Sequence, residues 1–201
     1  MTTIKKARRH VMATGAGAVN LVARHAVPAA LFIYATKDST PMNAIDFLVS
    51  QHRSMEILMD GVIDAQEEAR RRLYAEVADQ LTMHISAEET VFYPAVKAAR
   101  TEDILLESLE EHLSLKRLMA DLLALGPSEQ TFEPKFKVLK EQAEHHHKEE
   151  EEHLFPKVKA LLDEDRLRQL GAEMIALQTQ QKMEGRPRDN VSGQTDAAAP
   201  L

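Results

Sequence analysis

Apolar residues recur at intervals of three and four along most of this chain, and nowhere do they alternate with the period of two that a half-buried strand needs. After the breaker cluster KDSTPM at 37–42, Ile45, Leu48, Val49, Met55, Met59, Val62 and Ile63 fall on one helical stripe, together with His52 and Glu56. The spacing predicts a second helix from about Tyr74 to Ala99, with Val77, Leu81, His84, Glu88 and Val91 or Phe92 inward. A third is predicted from about Glu102 to Leu125, with Leu105, Leu109, His112, Leu115, Met119 and Leu122 inward, and Gly126-Pro127-Ser128 ends it. A fourth runs from about Pro134 to Leu162, with Phe136, Leu139, Ala143, His146, Glu150 and His153 or Leu154 inward. Pro94 and Pro156 fall inside these helical patterns, so each is expected to kink or break its helix.

Four long helices with short connections and one apolar stripe each predict an all-α fold, an antiparallel up-down-up-down four-helix bundle. An extra C-terminal helix is expected over about Asp165 to Gln180. The helical domain thus spans 43–183, after a basic and apolar N-terminal arm over 1–42. Residues 184–201 show no apolar periodicity and read as a disordered tail.

Two stretches inside the helices are one phrase written twice. TMHISAEETVFYP and EHHHKEEEEHLFP, aligned on Pro94 and Pro156, set His84 over His146 and Glu88 over Glu150. In each, the imidazole and the carboxylate are four residues apart, one helical turn along a single face. A second echo lies upstream: SQHRSMEILM around His52 and EEHLSLKRLM around His112. At the same 62-residue offset His112 overlies Met174, so the extra helix looks like a third helix that has lost its histidine.

Composition narrows what these residues can do. The 201 residues suffice for one domain with a buried core, and a 4% aromatic content without Trp favours helix. Cysteine is absent, which removes disulfides, thiolate ligands, iron–sulfur clusters and Cys nucleophiles. It also fits a cytoplasmic location. The net charge of −7 argues against nucleic acid as a partner. The two apolar runs of the N-terminal arm are too short to span a membrane and are separated by Arg24-His25, so the arm is read as flexible or loosely docked, or as a basic helix touching a membrane or a partner.

A single histidine on an apolar stripe is usually a hydrogen-bonded core residue. Here four stripes each carry one, and two add a carboxylate one turn later. An uncompensated buried carboxylate costs several kcal/mol, so two of them among four imidazoles point to a metal site. The candidate ligands are His52, His84, Glu88, His112, His146 and Glu150. All-nitrogen and oxygen ligation suits iron, ahead of manganese or zinc. Six ligands are too many for one structural zinc. A pair of metals bridged by Glu88 and Glu150, with two histidines each and an oxo or hydroxo group, uses the whole set.

The pattern H…HxxxE…H…HxxxE, with its VFYP and LFP endings, resembles the hemerythrin-like HHE cation-binding family, non-haem di-iron four-helix bundles. The resemblance covers about 43–183 and implies two iron ions held by those six residues, with both glutamates bridging. Oxygen-carrying hemerythrins have a further His where this chain has Lys116, and end in His-x-x-x-x-Asp rather than His146-x-x-x-Glu150. The four-His, two-Glu set is closer to bacterial di-iron proteins linked to nitric-oxide stress and iron–sulfur repair, which add a Cys-containing domain. A ferritin-like bundle would need Glu-x-x-His on two helices, and only Glu150-x-x-His153 offers it.

The expected role is binding of dioxygen, nitric oxide or peroxide, in oxygen or nitric-oxide sensing, iron handling or stress response. The alternative is a redox enzyme, peroxide-removing or ferroxidase-like, or a repair-type di-iron protein. Glu56 and Tyr93 are candidates for hydrogen-bond partners behind the ligands. His145 and His147 flank a ligand and are expected to face solvent or an interface.

Overall fold

The computed structural model describes residues 42–98 and 100–201; the arm expected over 1–42 lies outside them except for Met42. Helix α1 spans Ala44–Asp64 and starts on Asn43, whose side-chain oxygen accepts the Asp46 backbone N–H at 2.9 Å. Helix α2 spans Glu67–Ala87, continues through a π-helical turn at Glu88–Phe92 and resumes as α3 over Tyr93–Val96. Helix α4 spans Glu102–Ala124. Helix α5, Phe132–Glu149, likewise passes through a π turn, Glu150–Leu154, into α6 at Phe155–Lys159. Helix α7 covers Glu164–Glu184, and a 3-10 helix follows at Pro187–Gln194. No strand occurs among the described residues.

The two prolines neither end nor break their helices. A proline lacks the N–H that an α-helix would pair four residues back. Just before each one the chain widens instead: the Tyr93 N–H donates to the Glu88 carbonyl and the Phe155 N–H to the Glu150 carbonyl, five residues back. Pro94 and Pro156 then sit in the first turn of the resumed helix, where a missing donor is harmless. Each π turn opens on one of the two buried glutamates, consistent with the use of such bulges to aim functional side chains.

The rods pack in a closed ring, α1 against α2 and α5, and α4 against α2 and α5. Two apolar clusters fill it. One gathers Met55, Met59, Val77, Leu81, Leu115, Met119, Phe136 and Leu139. The other gathers Ile45, Leu48, Phe92, Tyr93, Leu105, Leu109, Leu154 and Phe155. On every rod the ligand-bearing turn falls between these clusters, so the histidines and glutamates form a polar layer sealed at both ends.

Helix α7 lies on α1 and α2. Its approach requires Gly171, since a Cβ there would stand 2.4 Å from the Met42 carbonyl oxygen. Residues 184–201, expected to be a disordered tail, instead run along α2 and α4. Val191 is buried in the first apolar cluster, Arg188 pairs with Asp79, and Arg117 donates to the Thr195 and Asp196 carbonyls. A tail that docks through scattered apolar residues, Pro187, Val191 and Leu201 among them, and a few polar contacts has no stripe for periodicity to detect.

Candidate metal centre

His52 on α1, His84 on α2, His112 on α4 and His146 on α5 converge with Glu88 and Glu150, the first residues of the two π turns. All six side chains are 0% exposed. Nε2 of His84 lies 3.2 Å from Glu88 Oε1, and Nε2 of His112 lies 3.4 Å from Glu88 Oε2. Glu88 therefore turns one oxygen toward each half of the centre. Glu150 Oε2 lies 3.4 Å from His52 Nε2 and 3.8 Å from His146 Nε2, while its Oε1 accepts the Tyr93 hydroxyl at 2.9 Å. Atoms about 3–4 Å apart have the spacing of ligands sharing a cation through bonds of about 2.1 Å.

The outer nitrogens decide what the inner ones can be. Each Nδ1 faces an acceptor on a neighbouring rod: His84 faces Gln51 Oε1 at 3.1 Å, His112 faces Glu89 Oε1 at 3.1 Å, His146 faces Glu111 Oε2 at 2.7 Å, and His52 faces Glu151 Oε1 at 2.9 Å. The four contacts run once around the bundle. Each anchor is the chain neighbour of a ligand, and each holds the histidine of the next rod. With Nδ1–H donating outward, every neutral ring turns an Nε2 lone pair inward. Lone pairs from four imidazoles then meet carboxylate oxygens, with the Tyr93 hydroxyl as a donor among them.

The consequence is visible as unsatisfied atoms. Nε2 of His52 and His84, both oxygens of Glu88 and Oε2 of Glu150 are buried without a hydrogen-bond partner. The Nε2 atoms of His112 and His146 face each other at 2.9 Å. Orphaned buried acceptors cost about 1–3 kcal/mol each, and a cation is what this donor set fits. Three groups meet the spacing for a metal ion: His52, His84, Glu88 and Glu150 in one half, Glu88, His112 and His146 in the other, and His52 and His84 with His147.

A sequence profile described as the hemerythrin HHE cation binding domain matches residues 43–158. This chain belongs to that family. HHE domains bind metal cations, and the buried His/Glu clusters here could hold them. The chain is 26% identical over 151 residues to a protein of Nostoc sp. (strain PCC 7120) named DNA nickase, a match covering 74% of this chain and 43% of that protein. It therefore spans less than half the length of that relative. Its fold is similar to the crystal structure of a hemerythrin HHE cation binding domain-containing protein from Mycobacterium kansasii, with a TM-score of 0.65, 24% identity and coverage of 76% of this chain and 99% of that one.

The HHE centre is electrostatically uneven. Burial, and then the Glu150 charge, raise Glu88 well above the usual carboxylate range. Burial would raise Glu150 too, but His146 and His52 pull it below that range. Burial pushes His112 down to about 4 and also lowers His84. Burial would lower His146, yet Glu150 and Glu111 raise it.

Of the two residues considered behind the ligands, Tyr93 is fully buried, donating to Glu150 and stacked on His112 with ring centroids 5.4 Å apart. Glu56 is a correction: it lies outside the centre and pairs with Arg53 at 2.8 Å, because its position on the stripe falls past the buried edge. His145 is exposed as expected, but His147 is buried, with its ring 4.0 Å from that of His52. His147 lies in the regular helix ahead of the π turn, and the packing of His52 on α1 against it puts that side of α5 inside.

Gln51, Glu89, Glu111 and Glu151 are functional residues that the sequence reading did not find, as is Lys116 as a partner: its ammonium donates to both oxygens of Glu89, at 2.7 and 2.8 Å. The available signal was adjacency, since each of the four anchors stands next to a ligand in the chain. Gln178 on α7 extends the ring by donating to Gln51 Oε1 at 3.2 Å and accepting from Gln51 at 2.7 Å.

Proposed function

We propose that the chain is a non-haem di-iron protein that binds a small ligand, dioxygen, nitric oxide or peroxide, at a carboxylate-bridged iron pair. Its role would lie in oxygen or nitric-oxide sensing, iron handling or the response to oxidative stress, and the absence of cysteine is compatible with work in the cytoplasm. The observation that carries this reading is the inward set of four Nε2 lone pairs and two carboxylates, each ring fixed from outside by an acceptor at its Nδ1. His52 and His84 would hold one ion, His112 and His146 the other, and Glu88 would reach both. Two iron ions held this way supply one-electron chemistry and ligand positions that the protein leaves free.

The residues do the rest. Glu89, Glu111, Glu151 and Gln51 keep the rings from turning, and the two apolar clusters keep bulk water from the polar layer. Ligands with no exposed surface give a polymer nothing to touch, so the name of the Nostoc relative does not enter this reading. Tyr93 favours a second reading, a peroxide-removing or ferroxidase-like enzyme, because a phenol hydrogen-bonded to Glu150 is a proton donor inside the centre.

The test is spectroscopic. Iron-loaded, anaerobically reduced protein is exposed in turn to air, nitric oxide and peroxide while its visible spectrum is followed. A stable spectral change that reverses on removing the gas supports binding. Rapid oxidation with turnover of peroxide supports the enzyme. A chain that takes up no iron sinks both.

A further inference from the structure

His147 is unaccounted for by the centre as described. It is 2% exposed, and neither ring nitrogen has a hydrogen-bond partner. Among the described residues no other histidine is buried with both nitrogens unpaired. A neutral imidazole carries one donor and one acceptor, and leaving both unmet in the interior is costly.

Its position says what it faces. The ring lies 4.0 Å from His52 at an interplanar angle of 5°, a parallel stack, and 5.3 Å edge-on from His84. One of its nitrogens comes within 4.8 Å of ligand nitrogens of both His52 and His84, and the same closeness joins His52 and His84 to Glu88 and Glu150 without His147. His147 thus adjoins the two imidazoles of this half. Phe155 stacks on His52 at 6.0 Å and meets Phe92 edge-on, which makes the surroundings apolar.

It is not a third ligand there. An imidazole binds a cation along a lone pair in the plane of its ring. Two rings stacked face to face have separate, parallel planes and cannot both aim at one ion, so with His52 as ligand His147 is left with a free N–H.

We propose that His147 donates a hydrogen bond to the small ligand taken up at the His52/His84 half of the centre. The ligand class is a small molecule or anion with an accepting terminal atom, such as peroxide, dioxygen or azide. The inference rests on the di-iron reading and adds to it which half receives the ligand and which residue holds it. A buried N–H without a partner beside His52 and His84 selects for such an atom, because in its absence the donor stays unmet.

Azide is the probe. The full-length, iron-loaded wild type is compared with His147→Leu and His147→Gln for iron per chain, azide affinity by visible titration, and azide stretching frequency in H2O and D2O. Iron per chain is expected to stay the same in all three. Azide affinity is expected to fall about fivefold to tenfold in His147→Leu, the worth of one hydrogen bond, and to recover in part in His147→Gln. The wild-type frequency should shift in D2O and that of His147→Leu should not. Loss of iron from a folded His147→Leu would overturn the proposal by making His147 a ligand, and so would unchanged affinity. Should the leucine variant not fold, the wild-type frequency decides alone, since no D2O shift overturns the donor. A wild type that holds no iron would instead refute the di-iron reading beneath it.

Discussion

The inward nitrogens of His112 and His146 face each other at 2.9 Å, whereas those of His52 and His84 have no hydrogen-bond partner. The first half is tied together: Lys116 donates to Glu89, Glu89 faces His112, Glu111 faces His146, and Tyr93 reaches Glu150. In the second half Glu151 and Gln51 hold the rings from outside, while Nε2 of both rings and all of His147 stay unsatisfied. The comparison separates two tasks within one polar layer. One half contributes order to the metal-free bundle, and the other carries most of the unmet demand that ions and their ligands would fill.

The contrast breaks most visibly at Glu89. Glu89→Ala strands a buried lysine and frees the His112 ring, so it should cost about 3 kcal/mol of stability in urea unfolding of the metal-free protein. A loss under about 1 kcal/mol would mean this half is not the tied one.

Acid should act on the same protein to a similar or smaller extent. His112 is pushed down to about 4, against about 6.5 for a free imidazole. Between those values the unfolded chain takes up a proton that the folded chain refuses. Stability is therefore greatest above about pH 6.5 and falls as pH drops toward about 4, by about 2 kcal/mol. His84 and His147 are lowered too and add to the fall. Glu88, raised by burial and the Glu150 charge, opposes it. Urea midpoints at pH 4.5 and 7 in the presence of a chelator check the sign, and a flat or rising trend on acidification would contradict it.

At Gln51 the effect moves from folding to binding. Gln51→Leu leaves His84 without its outer acceptor and should weaken one metal site about tenfold, read by competition with a chromophoric chelator. Gln178→Leu, one contact further out, should do less. Equal weakening of both sites would show that the halves are not separable.

Glu88→Met gives the smallest change and the least intuitive sign. Replacing a buried, unsatisfied carboxyl by an apolar side chain of similar length should raise metal-free stability by about 1 kcal/mol while lowering metal content. Destabilisation of the metal-free form would mean that the carboxyl is better satisfied than its surroundings indicate.

Much of this was legible in the sequence, and what was not has a physical reason. The six ligands sit at helical spacing on apolar stripes, so periodicity alone puts them on buried faces. The anchors were hidden because each acts across to another rod; Glu151 reads as part of a solvated acidic run until α1 is placed beside it. The burial of His147 is set by α1, whose His52 covers that side of α5. Pro94 and Pro156 predict a kink or a break, and a π turn takes up each instead, a backbone feature that residue type does not encode. The docked tail has no detectable period because its apolar contacts, at Pro187, Val191 and Leu201, are irregularly spaced.

The central claim is that the inward lone pairs of four rods are arranged for cations. Metal analysis of protein purified from iron-supplemented cells tests it most directly, comparing wild type with the double variant Glu88→Ala, Glu150→Ala, helix content being checked by circular dichroism. The account predicts close to two irons per chain in the wild type and almost none in the folded double variant. A wild type without bound metal, or a double variant that keeps the same amount, would contradict it.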